Sequence, residues 1–466
     1  MKHATGNTVV KRNGHFSARV MPYTGYAICF AGFLLCVIAF YPGYLSPDSI
    51  RQLTEGRAWN FTDWHPPLMA ALWGLTDRVI PGPFGMLLLQ NAVFWCALGM
   101  FWRSTYRKSI WMGLGLVAIG FLPPVLALLS TIWKDVGLGA SLLLVSALLY
   151  NARQANSRVA LIVASPFLFY AYAVRQNAAP AIFPLALWTG FIACSLFSTL
   201  KRRVTGGLIL PLLIGVSYFF ILTSLVLLTT WSLTRGLSSY IFQTVLLHDL
   251  AAISKQRKAA VFPDYVLAAE TFSLDNVLSS YDEAQATALT RGEHPALQLT
   301  QRSDEIAALR AKWLETVPSH KAIYLRHRWE TFRRLIGWNV EVCFPYLATA
   351  RKFESYDVNK WRIHQFLRAV FWKFRNAFLF RGWLWLLACL VLLCFASVQR
   401  VQNDLEVVFV LTLSGLLYGV AYFFIATSCD FRFLWWTVLA LSVSICFSVS
   451  FAIKRLKTRF GAPIKR

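Results

Sequence analysis

Apolar residues do not alternate with polar ones along this chain; they run in blocks of roughly 15–25, divided by short polar stretches and one long polar interval. A bilayer core takes about 20 apolar residues per helix, so such blocks predict membrane-crossing helices. Ten blocks stand out, near 23–41, 84–102, 110–129, 136–150, 159–174, 179–199, 207–231, 381–398, 405–427 and 432–453. An even number of crossings leaves both chain ends on one side. The long interval carries helical patterns over Ser303 to Thr316 and Lys321 to Leu335. Near its end, the stretch His364-Gln365-Phe366-Leu367-Arg368-Ala369-Val370-Phe371-Trp372-Lys373-Phe374-Arg375 sets aromatics at helical spacing with cations between them, as in a helix lying in the membrane interface. The expected fold class is all-α and polytopic. It divides into a transmembrane module over 1–231, an extracytoplasmic helical segment over 232–380, and final helices with a basic tail over 381–466. No internal repeat and no low-complexity tract is evident.

Composition agrees, with 57% hydrophobic residues, 15% charged, 18 Trp and 36 Phe. A net charge of +24 could signal a nucleic-acid partner, but the Lys and Arg sit in short segments between apolar runs, so we expect no nucleic acid. The cations instead report topology. Lys2, Lys11, Arg12 and Arg19 of the N-tail, Arg103/Arg107/Lys108, Arg153/Arg158, Lys201/Arg202/Arg203, Arg400, and Lys454/Arg455/Lys457/Arg459/Lys465/Arg466 all fall on one side of a ten-span chain. By the positive-inside bias that side is cytoplasmic, which predicts a bacterial inner-membrane protein with both termini inside. The connections 42–83, 130–135, 175–178, 232–380 and 428–431 then face outward. The first apolar run follows a basic tail but leads into Tyr41-Pro42-Gly43-Tyr44 with no A-x-A site, so it reads as an uncleaved signal anchor. Of nine cysteines, seven lie in apolar runs and behave as small hydrophobes. Only Cys343 and Cys429 fall outside the cytoplasm, which leaves one disulfide between them open.

Ionisable residues at membrane level are costly and mark functional paths by default. Five outward connections contribute them. The first carries Ser46-Pro47-Asp48-Ser49 and then Asp63-Trp64-His65-Pro66-Pro67, whose prolines hold Asp48 and His65 on ordered backbone. Asp48 is either a catalytic acid or the N-cap of the helix that follows; His65 is either part of the chemistry or a partner of its turn. The second, Ser130-Thr131-Ile132-Trp133-Lys134-Asp135, puts an anion and a cation at a helix N-terminus. The dipole favours Asp135 but not Lys134, so Lys134 meets an anionic ligand or a carboxylate such as Asp48, or else snorkels to headgroups. The third, Arg175-Gln176-Asn177, offers a guanidinium fork to phosphate oxygens or to an acid on a neighbouring helix. In the fourth, His248-Asp249 follows Gln243, and Asp249 is either a second acid or a solvated one. The fifth, Ser428-Cys429-Asp430-Phe431-Arg432-Phe433, pairs Asp430 with Arg432 or sends Arg432 to a lipid phosphate.

At these residues, mostly within the first 180 positions, the chain resembles the GT-C superfamily of polyprenyl-phosphate-sugar-dependent glycosyltransferases, which includes protein mannosyltransferases and the lipid A aminoarabinose transferase. The likeness rests on an apolar helix followed by Ser46-Pro47-Asp48-Ser49, a spacer and Trp64-His65-Pro66-Pro67, with Lys134-Asp135 and Arg175-Gln176-Asn177 beyond. It implies a GT-C-like fold and Asp48 as the acid of the first external loop, acting as base or as metal ligand. Asp48 is followed by Ser49 rather than a second acid, which weakens a divalent-metal site unless Asp63 completes it. No cofactor is otherwise implied.

The expected function is therefore sugar transfer from a polyprenyl-phosphate carrier to a lipid or polysaccharide acceptor, among membrane lipids, on the extracytoplasmic side. Asp48, His65 and Asp63 are the catalytic candidates. Lys134, Asp135, Arg175, Asn177, His248, Asp249 and Arg432 are the substrate-binding candidates. A flippase or transporter of lipid-linked saccharides is the alternative from another class, and a polymerase or ligase using the same carrier is a closer rival.

Overall fold

The computed structural model describes residues 12–197, 207–270, 272–291, 294–343, 353–356, 362–399 and 403–460. Lys2, Lys11, Lys201, Arg202, Arg203, Arg400, Lys465 and Arg466, which bear on orientation, lie outside the described residues. In chain order the helices are α1 (Arg12–Phe40), α2 (Pro47–Ala58), α3 (Pro67–Val79), α4 (Phe84–Thr105), α5 (Ile110–Ala118), α6 (Pro123–Leu129), α7 (Lys134–Ala155), α8 (Arg158–Ala173), α9 (Ala179–Leu196), α10 (Ile209–Thr234), α11 (Gln243–Arg257), α12 (Ser303–Ser319), α13 (Lys321–Leu335), α14 (Arg362–Phe374), α15 (Gly382–Val398), α16 (Asn403–Ile425) and α17 (Trp435–Phe460). Shorter turns lie at Asp264–Leu267, Leu274–Ser280 and Thr287–Thr290. Among the described residues β structure is limited to isolated bridges such as Tyr44 with Thr131 and Gln285 with Ser428.

Each of the ten apolar blocks is helical, but they are not equal. Seven helices are long and apolar enough to cross a membrane, and eight if Ile110–Phe121 and Pro123–Leu129, bent by 52°, form one span. Pro123 and Pro124 account for the bend, because proline removes an N–H and pushes the preceding residue out of helical geometry. The other two, α8 and α15, are apolar but only 16 and 17 residues long. The chain is thus an all-helical membrane protein.

Helix α7 is the hub: 94% of its apolar window is buried, against 11% for the peripheral α10. It packs on α4, α8 and α17, and the α17 contact needs Gly139, where any Cβ would run into the Trp435 ring. A backbone-to-backbone contact fixes α2 against α3. Gly56 and Gly74 face each other so closely that a Cβ on either would collide with the other helix, the small-residue approach typical of membrane packing. That contact sets Asp48, on α2, relative to His65, just before α3.

The segment between α10 and α15 folds round a core of its own, with Leu247, Leu250, Ala251, Phe262, Val277, Leu289 and Leu309 buried together. The two helices expected there appear as α12 and α13. The stretch expected to lie in the interface is helical, as α14, which buries His364 and Phe371 and leaves Phe366, Trp372 and Phe374 exposed.

Candidate functional site

The first connection is bolted to the turn before α7. Tyr44 N–H donates to Ser130 O (3.0 Å) and Ile132 N–H to Tyr44 O (3.2 Å). Ser46 and Ser49 cap α2 reciprocally, Pro47 occupies its first turn, and Trp133 Nε1 donates to Ser46 Oγ (2.7 Å) while Ser49 Oγ donates to Ile132 O (2.8 Å). Ser46 is therefore the cap, and the N-cap reading of Asp48 is corrected. Pro47 takes the first helical position, so the cap falls on Ser46, two residues before Asp48, and Asp48 is turned away from that duty.

This bolting brings Lys134, at the start of α7, to His65 and Asp48. Lys134 Nζ donates to His65 Nδ1 (2.7 Å), so the ring proton sits on Nε2, 3.6 Å from Asp48 Oδ1. Arg432 donates to Asp48 Oδ2 (3.0 Å), and its guanidinium also meets Asp430 (2.9 Å) and Asp135 (3.8 Å). Arg175 donates to Asp135 (3.0 Å) and to Tyr422 Oη (2.7 Å). Lys134, His65, Asp48, Arg432, Asp135 and Arg175 thus form one continuous polar chain drawn from four connections.

The chain borders a cavity of ≈ 440 Å³, a size suited to a small ligand. Asp48, Lys134, Arg175, Asn177, Arg291 and Arg432 are among the residues lining it. Four of these are cations and one is a carboxylate. Asp135 and Asp430 lie behind the wall, 2% and 8% exposed, where they hold the arginines. Asp135 therefore positions Arg175 rather than touching the cavity, the salt-bridge alternative for that arginine. Burial by itself would raise the Asp48 carboxyl. Arg432, with Lys134 beside it, outweighs burial and holds the group well below the usual carboxylate range. Burial and the Lys134 charge push His65 well below its ordinary value, so the ring is neutral.

Asp63 is placed elsewhere. Its carboxylate accepts from Ser238 Oγ (2.8 Å) and the Ser239 N–H, stapling the first connection to the chain just after α10. It does not share a site with Asp48. A divalent cation beside Asp48 would sit among Arg432, Lys134 and an imidazole nitrogen already taken by Lys134, a donor set whose charge opposes it. Among the described residues no three His, Cys, Asp or Glu side chains gather in a metal-holding group.

His248 and Asp249 are also apart from the cavity. Both are fully buried in the extramembrane core, where Asp249 accepts from Arg328 (2.7 Å) and Trp313 Nε1 (2.9 Å), and His248 Nε2 donates to Asp282 O (2.9 Å). The solvated-acid reading of Asp249 is corrected too: its partner is Arg328, on α13. Arg328 in turn donates to Ala426 O (2.9 Å), so the cluster braces one wall of the cavity. Sequence reasoning missed Arg328, Arg291 and Tyr422; for Tyr422 the spacing with Tyr418, four residues apart in an apolar run, is the one available signal.

The turn that delivers Arg432 is clamped from the extramembrane side. Ala286 N–H donates to Thr427 O (2.7 Å), Cys429 N–H to Ala284 O (2.9 Å) and Phe431 N–H to Cys343 O (3.2 Å). Cys343 and Cys429 form the disulfide left open by the sequence. Replacing Cys429 by Ser is expected to cost about 2–5 kcal/mol, read as a lower unfolding temperature of the detergent-purified protein. Labelling of both thiols in unreduced wild-type protein would remove the basis for this expectation.

Compared with known protein families, curated proteins and solved structures, the chain matches none.

Proposed function

We propose that this chain is an integral-membrane glycosyltransferase of GT-C type, which takes a sugar from a polyprenyl-phosphate carrier on the extracytoplasmic side of the bacterial inner membrane. In this reading the ten apolar helices all span, α8 and α15 included, and both termini are cytoplasmic. The observation that carries the reading is the cavity wall, where four cations and one carboxylate face a single space at the ends of membrane helices. A phosphodiester headgroup fits cations there, and a lone carboxylate among them serves as base.

The chemistry follows from the pairings. Lys134 and Arg175 receive the donor phosphate, while Arg432 is shared between that phosphate and Asp48. As the phosphate draws on Arg432, the Asp48 carboxylate loses its strongest stabilising partner and gains basicity where the acceptor hydroxyl lies. Asp48 takes the hydroxyl proton, the acceptor oxygen bonds to the anomeric carbon, and the anomeric C–O bond breaks with its electron pair on the phosphate. One displacement with no covalent sugar intermediate inverts the anomeric centre. His65, fixed as the Nε2–H tautomer by Lys134, orients Asp48.

Purified protein incubated with a labelled polyprenyl-phosphate sugar tests the reading: release of polyprenyl phosphate with label in the acceptor supports it, whereas movement of intact donor across vesicles points to a flippase. The pH profile provides a second test. Because the Asp48 pKa is depressed, the base stays ionised until the pH falls below that depressed value, so the acid limb of kcat/KM should lie below pH ~4, the ordinary aspartate range. Arg432→Gln should shift that limb upward. An unmoved limb in the variant counts against Asp48 as the titrating base.

A further inference from the structure

Arg175 and Arg432 are tied to acids and Lys134 to the His65 ring, whereas Arg291 has no such partner among the described residues. Arg175 pairs with Asp135, and Arg432 with Asp48 and Asp430. Arg291, which follows the turn Thr287–Thr290 of the extramembrane segment, has no carboxylate within 4.0 Å among the described residues and rests over the Trp64 ring at 5.0 Å. Trp64 also carries Arg51 at 5.4 Å, and Arg51 is already satisfied by Glu55 and Thr62. Trp64 therefore acts as a shelf that holds the Arg291 guanidinium over the cavity mouth with its charge unspent.

The cavity that Arg291 borders also offers neutral hydrogen-bonding groups. Thr287, Thr290, Thr244, Gln176 and Asn177 bring neutral hydrogen-bonding side chains to the same cavity, and the Thr287 hydroxyl is buried with no hydrogen-bond partner among the described residues. Hydroxyls and amides match a polyhydroxylated ligand, and a planar guanidinium matches the paired oxygens of a carboxylate or phosphoryl group. We propose that Arg291, with Trp64 and Thr287, forms a second subsite that selects an anionic saccharide as acceptor. The word acceptor rests on the transferase reading; the subsite itself does not. The donor phosphate keeps the inner cations Lys134, Arg175 and Arg432, while the acceptor's charge is read by Arg291, supplied by the segment between α10 and α15.

The test uses the full chain in nanodiscs and equilibrium binding of four probes: trigalacturonate, glucose 6-phosphate, maltotriose and triglutamate. An anionic sugar, carboxylated or phosphorylated, should bind roughly tenfold more tightly than maltotriose, the worth of one charge-assisted hydrogen-bonded contact. Comparing trigalacturonate with glucose 6-phosphate tells which anion the subsite prefers. Arg291→Gln should reduce the advantage to about twofold or less, while Arg302→Gln, at an exposed cation outside the cavity lining, leaves it intact. Equal binding of maltotriose, a preference that survives Arg291→Gln, or triglutamate binding as tightly as the anionic sugars would each overturn the proposal. Donor cleavage measured in parallel separates the two readings: Arg291-dependent sugar binding without any donor cleavage sinks the transferase and leaves the subsite standing.

Discussion

Asp48→Asn is expected to lose roughly 10²–10⁴-fold in sugar-transfer rate, the usual cost of removing a positioned base, while donor affinity changes little. The asparagine keeps the shape of the side chain, and Arg432 retains Asp430 at 2.9 Å, so the guanidinium is not orphaned by the change. His65 Nε2 lies 3.6 Å from the side-chain oxygen and does not depend on its charge to stay in place, because Lys134 holds the ring. What disappears is the one carboxylate facing the cavity among the described residues, and neither Asp135 nor Asp430 can replace it from behind the wall. Single-turnover transfer from a labelled donor, beside an equilibrium donor-binding measurement, separates the two quantities. Transfer at the wild-type rate removes Asp48 from the chemistry; loss of binding and rate together makes it a structural member of the ion-pair chain.

Replacing Asp249 by Asn should act in the opposite way, on stability and not on the ligand. It leaves Arg328, fully buried, without its carboxylate, and breaking a buried pair costs about 3–5 kcal/mol. Burial alone would raise the Asp249 carboxyl, yet Arg328 and His327 hold it below the ordinary value. A depressed pKa contributes stability above the unfolded value of about 3.9, and that contribution drains away as pH falls through the folded value. Hydrogen exchange in α11 and α13 should therefore show an acid transition below pH ~4 in the wild type and weak protection at neutral pH in the variant. Unchanged protection with weakened donor binding would return Asp249 to the ligand-binding residues.

Much of this architecture was legible because a bilayer leaves the backbone few choices: an apolar block of sufficient length must be a helix. Lys134, Arg175 and Arg432 were legible for a related reason, since charges at helix ends inside apolar surroundings demand a partner or a ligand. The same logic misplaced His248 and Asp249. His248 is held by the Asp282 carbonyl, and Asp249's partner Arg328 lies 79 residues away along the chain, on a helix whose pattern is that of any amphipathic surface helix, so that only folding shows this face turning inward. Asp63 misled likewise, because the Ser238 hydroxyl and the Ser239 backbone N–H after α10 satisfy it, and neither carries a charge to announce it. Arg291 has no pattern at all, standing in an irregular turn.

The close approach of Gly56 and Gly74 has a consequence reaching well beyond the two helices it joins. One methyl group at either position acts as a wedge, prying the carboxylate and the imidazole out of register without altering any atom that meets a ligand. The tolerance of the pocket to sequence drift is governed at this remote hinge as firmly as at its own lining, and positions 56 and 74 should be counted among its determinants.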